Sequence, residues 1–123
     1  MKIEVSIGEI VDKLSILRIK KNNITDAEKL KNVVTEYDYL YSIVFDELKI
    51  DEKDFYNLII INEKLWDIED KLRIKEGTQS FDNEFVELAR SVYYTNDERA
   101  KIKKEINLKY GSLFVEEKSY QKY

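Results

Sequence analysis

The sequence contains no cysteine, no histidine and no proline, and only three glycines. Without cysteine there is no disulfide, no thiol nucleophile and no thiolate metal ligand. Without histidine the commonest general base and the commonest metal ligand are both missing. With no proline and so little glycine, few positions interrupt a helix once it has begun. There is no run of ~18 apolar residues to span a membrane. The opening "MKIEVSIGEI" also lacks the apolar stretch of a signal peptide. The expected location is therefore the cytoplasm of the producing or host cell.

What is present is charge and apolar periodicity together. Of 123 residues, 43% are hydrophobic and 37% charged, too apolar for disorder and more charged than the usual ~25%. The length suits one domain over residues 1–123 with no linker, burying roughly two thirds of its unfolded surface. The net charge of −4 is interleaved along the chain, which argues against a nucleic-acid partner. No cofactor signature is present. Lysine outnumbers arginine seventeen to four, a bias of AT-rich coding DNA.

Four helical segments follow from spacing. "SIGE" is a capping box, Ser6 to Glu9, and Ile7, Ile10, Val11, Leu14 and Leu17 continue it to about Lys21. A second box, Thr25 to Glu28, opens a stripe from Leu30 to Leu48. A third helix opens at Asp51 and closes at Gly77. A fourth begins near Asp82 and carries Phe85, Leu88, Ala89 and Val92. At "YYTNDERA" two readings stand. Thr95 with Glu98 makes a new cap, or the pattern runs on to Gly111; a kink near Asn96 reconciles them. The predicted fold is all-α, an antiparallel bundle of four long helices with extended N- and C-terminal segments. "KIEVS" and "GSLFVEEKSYQKY" lack helical period. The second is expected to fold back, with Leu113 and Val115 on one side as in a strand, and either to pair with the first or to lie in an adjacent groove of the bundle.

The segments "VSIGEIVDKLSILRIK", "NEKLWDIED", "ELARSVYYTNDERAKIKKEIN" and "GSLFVEEKSY" together resemble a small family of bacterial and phage proteins carried as a domain of unknown function. The resemblance covers nearly the whole chain. It implies an all-helical single domain and no particular activity. "EIVDKLSILRIK" alone is similar to the first helix of the all-helical chorismate mutases, but the arginine their active site needs early in that helix is absent; only Arg18 is present.

Three groups of residues are candidates for function. Asn62 and Glu69 fall on the same stripe as Leu58, Leu65 and Leu72, so both are expected to be buried with partners on another helix. With Asp70 and Arg73 they make either a register-fixing polar network with surface ion pairs or a carboxylate-lined pocket. Trp66 is expected inside, against the first or fourth helix. The four arginines form the second group, since arginine alone offers a planar five-donor fork. They pair internally with carboxylates such as Glu9, Asp12 and Asp97, or capture an anion through Arg90, Arg99 and Lys103 on one side of the fourth helix. A metal site is the weaker option: Glu63, Asp67 and Asp70 lie at i, i+4 and i+7, and Glu84 and Glu87 can face them. The tyrosines are the third group. Tyr39, Tyr94, Tyr120 and Tyr123 are expected at a partner surface.

Without histidine, cysteine or a complete catalytic signature, the sequence favours a helical protein-interaction or regulatory module over an enzyme. Its partner is another protein or a second copy, making a homodimer. The alternative is a small-molecule-binding protein or enzyme. It would use an Arg/Lys/carboxylate pocket between helices for a phosphate, nucleotide or carboxylate.

Overall fold

A computed structural model describes all 123 residues and contains four α-helices and no strand. They are α1 (Ile7–Asn23), α2 (Ala27–Ser42), α3 (Glu52–Gly77) and α4 (Asn83–Lys109). Each opens on a side-chain cap. Ser6 accepts from the Glu9 amide, Asp51 from Lys53 and Asp82 from Phe85. At α2 the cap is Asp26, accepting from Lys29, one residue beyond the expected Thr25. A π-helical turn the periodicity does not announce, Ile43–Glu47, continues α2 and buries Val44.

Helices α3 and α4 form a long antiparallel hairpin. Lys75 pairs with Asp82 and Glu84 near its turn, and Lys109 pairs with Asp54 at the opposite end. Helix α1 lies across that open end. It starts against α4, where Gly8 meets Lys103 and Asn107, and finishes against α3, where Ser15 meets Asn62 and Arg18 lies over the Phe55 ring. Helix α2 packs on α1 from the other side. Helix α1 is thus the central element. Its buried residues, Gly8, Val11, Asp12, Leu14, Ser15, Leu17 and Ile19, are spread around it.

The main core joins Val11, Leu14 and Leu17 of α1 to Tyr37, Val44 and Ile50, to Phe55, Leu58, Ile59 and Ile61 of α3, and to Ile106 of α4. Trp66 is half-buried and outside this cluster, not in the interior as its spacing suggested. It lies beyond the stretch of α3 that α1 covers.

Two other expectations change. Helix α4 runs unbroken through Asn96, and Thr95 is buried within it instead of capping a new helix. The two chain ends do not pair as strands. They meet at one point, where the Ile7 amide donates to Ser112 Oγ at 3.0 Å. The segment from Ser112 does fold back over α4, but Leu113 is exposed and only Val115 is half-buried. Gly111 ends α4 with φ +67°, the left-handed conformation glycine adopts most readily.

Candidate functional site: a cleft between α4 and the C-terminal segment

The site is built on a buried carboxylate. Asp12 faces α3 and α4 from the central helix and is 1% exposed. An isolated charge there is strongly disfavoured, so its oxygens need partners. Arg99 Nε donates to Oδ1 at 3.0 Å and Arg99 Nη2 donates to Oδ2. Asn62 Nδ2 donates to the same Oδ1 at 2.9 Å and to Ser15 Oγ at 2.7 Å. Ser15 Oγ in turn donates to the Asp12 backbone carbonyl at 2.6 Å. Helices α1, α3 and α4 are therefore keyed to one another by one polar cluster. The Asp12 hydrogen bond raises the Arg99 pKa further.

A second lock lies one turn away on α1 and about two turns away on α4. The Gly8 amide, an unpaired donor of the first turn of α1, donates to Asn107 Oδ1 at 2.6 Å. A Cβ on Gly8 would sit 2.5 Å from the Lys103 carbonyl oxygen, so only glycine allows this approach.

Arg99 and Lys103 stand one turn apart on α4 and face outward into a cleft of about 620 Å³ roofed by the C-terminal segment. The two bonds to Asp12 use Nε and Nη2 of Arg99, which leaves Nη1 without a hydrogen bond to the protein in a residue that lines the cleft. Lys103 Nζ donates to Glu9 at 2.8 Å and to Glu116 of the roof at 3.4 Å. Glu116 also pairs with Lys118 at 2.5 Å. Lys118, then Lys103, hold the Glu116 carboxyl below its usual range.

The far wall is aromatic. Tyr120 donates to Asp97 Oδ1 at 2.6 Å and Tyr123 to Asp97 Oδ2. These bonds, Tyr120 first, lower the Asp97 pKa, and the Asp97 bond pushes the Tyr123 hydroxyl up to about 12. The Tyr123 ring packs on Tyr93 and Tyr94 with centroids 5.3 and 4.7 Å away. Tyr94, Tyr120 and Tyr123, expected at a partner surface, touch one another or α4 and still remain exposed, as does Tyr39 on α2.

Of the anticipated residues, the structure brings together Asn62, Arg99 and Lys103. Glu69 is exposed, against expectation. It shares the stripe of Asn62, but Asn62 is held by Asp12 and Ser15 of α1, and Glu69 has no such partner. Asp70 and Arg73 are exposed as well. Arg90 does not join Arg99 and Lys103. Thirteen residues of helix separate it from Lys103, a rotation of roughly 140° about the axis. It pairs instead with Glu87 at 3.1 Å and lies 5.9 Å from the Tyr94 ring. No three carboxylates converge to hold a metal ion, and on the ridge of Glu63, Asp67 and Asp70 the middle member pairs with Lys71 at 2.9 Å. From the sequence alone Asp12 is one of several carboxylates available to an arginine. A sharper signal was present: an aspartate beside Val11 and Leu14, on the face that has to be buried.

No helix is long and apolar enough to cross a membrane. No curated protein sequence and no solved structure matches the chain. A family model matches residues 1–123, and by it the chain belongs to the family described as "Family of unknown function (DUF6165)".

Proposed function

We propose that this protein binds a small anionic molecule, a phosphate or carboxylate attached to a flat ring, in the cleft between α4 and the C-terminal segment. The observation that carries the reading is the division of labour at Arg99. One edge of its guanidinium is fixed by buried Asp12, and Nη1 makes no hydrogen bond to the protein although Arg99 lines the cleft. A fork held on one side presents its remaining donors at little further entropic cost.

Glu116 strengthens the case. It is a carboxylate of the chain itself, placed on Lys103 and Lys118 where a ligand's anion would sit. The tyrosines opposite supply ring faces for the rest of the molecule. The volume, about 620 Å³, falls within the ~300–1,000 Å³ range of small-molecule sites.

The test is thermal unfolding with inorganic phosphate, phenyl phosphate, benzoate and succinate. A probe at 100 times its dissociation constant adds ~2.7 kcal/mol, or several degrees. Phenyl phosphate is expected to act most strongly. Glu116→Gln should tighten its binding by vacating the two lysines, and Arg99→Lys should weaken it by about tenfold or more. If all four probes leave the midpoint unmoved in both the wild type and Glu116→Gln, the proposal fails.

A further inference from the structure

The hairpin of α3 and α4 is longer than the helix laid across it. Between Ile61 and Ile102 only Asn62, Leu65, Ile68 and Thr95 are buried, and none of them belongs to the main core cluster. On α4 the face that meets α1 carries Arg99, Lys103 and Asn107, and stepping back along it in threes and fours gives Asn96, Val92, Ala89 and Phe85. On α3 the same operation leads from Asn62 to Glu69, Arg73 and Glu76. The groove that α1 fills at one end of the hairpin therefore continues past it, unfilled, for about two further turns. That half has a volume of about 420 Å³, a floor of Leu72, Phe85, Ala89 and Val92, and a rim of Glu69, Arg73 and Glu76. Phe81, 54% exposed, stacks edge-on against Phe85 at 5.2 Å and extends the apolar surface towards the hairpin turn.

We infer that this empty half-groove is the face through which two copies of the chain associate, hairpin against hairpin, as a four-helix bundle about a two-fold axis. A helical hairpin alone covers only one side of each helix, and a second hairpin is the usual cover. The rim selects a second copy over other occupants. Arg73 lies one turn from Glu69 and one from Glu76 on the same ridge, and none of the three has an ion partner within the protomer. When two such ridges run antiparallel about a two-fold axis lying between Glu69 and Arg73, each Arg73 faces Glu69 of the other copy, so the surface is complementary to itself and the contact closes. This gives the interaction module expected from the sequence a definite partner, and it is independent of the anion cleft.

The full chain should sediment as a dimer at about 100 µM and dissociate on dilution. Ala89→Arg, at the groove floor, should leave a monomer with unchanged helical circular dichroism. Arg73→Glu should weaken the dimer by roughly tenfold or more, because it sets like charges face to face. The triple exchange Glu69→Arg, Arg73→Glu, Glu76→Arg should restore it. A wild type that remains monomeric at about 100 µM overturns the inference. So does a dimer that Ala89→Arg does not disturb, which would place the interface elsewhere. A triple variant as dissociated as Arg73→Glu overturns the two-fold pairing at the rim.

Discussion

Replacing Asp12 by asparagine keeps the shape of the side chain and removes its charge. The native carboxylate accepts two bonds from Arg99 and one from Asn62. In the variant one acceptor becomes an NH2 group facing a donor, and Arg99 loses its counter-charge. Breaking a buried pair by removing one partner costs about 3–5 kcal/mol. The Arg99 side chain is 27% exposed and keeps some hydration, which places the loss near the lower end, at ~3 kcal/mol. For a chain of this length that corresponds to a fall of about 10 °C in Tm. Urea unfolding followed by helical circular dichroism measures it, with the midpoint falling and the slope unchanged. The double variant Asp12→Leu/Arg99→Met should recover to within ~1 kcal/mol of wild type, since no uncompensated charge is left. A loss below ~1 kcal/mol for Asp12→Asn alone would refute the view that this pair fixes α1 on the hairpin.

Gly8→Ala should destabilise by about 1–3 kcal/mol, read from the same urea curves, because the new methyl meets the Lys103 carbonyl with no side chain to yield. Tyr110→Phe should lose about 1 kcal/mol by the same measurement, since the hydroxyl donates to Asp54 at 2.5 Å and accepts from the Asp51 amide at 2.9 Å. The docking of the C-terminal segment should depend on pH at both extremes. Tyr123 titrates near 12 when docked, so its contribution is complete below the unfolded value of about 10 and disappears as pH rises through 12. Asp97 is shifted down, so its contribution holds above about 3.9 and is lost as pH falls through its lowered value. Tyrosine ring resonances of the segment should therefore stay constant from about pH 5 to 9 and move outside it; a change centred near neutrality would contradict the assignment of Asp97 as the anchor.

The helices were legible because their signals are local. Ser6, Asp51 and Asp82 mark three of the four starts, and Gly111 marks an end. Asn62 was legible as a polar residue on an apolar stripe. Glu69 shows the limit of that logic: the stripe states which way a residue faces, and whether anything stands opposite depends on where α1 crosses. The fate of Arg90 was available from helical rotation alone. The lock between Gly8 and Asn107 was not. Gly8 reads as filler within a capping box, and its partner stands 99 positions later. The role of Glu116 was hidden for a related reason, since a segment without periodicity gives no direction to its side chains.

The central helix is made first and seated last. The carboxylate of Asp12 waits for an arginine 87 residues further along the chain. During synthesis at about 5–20 residues per second, that interval is roughly 4–17 s. Through it α1 can form and meet α2, and Asn62 of α3 can reach Asp12 and Ser15, but the carboxylate has no counter-charge and the side of α1 that packs on α4 stays uncovered. A nascent chain that stops short of Arg99 would hold the Asp12 carboxylate without its counter-ion, so α1 cannot be fully seated until α4 arrives.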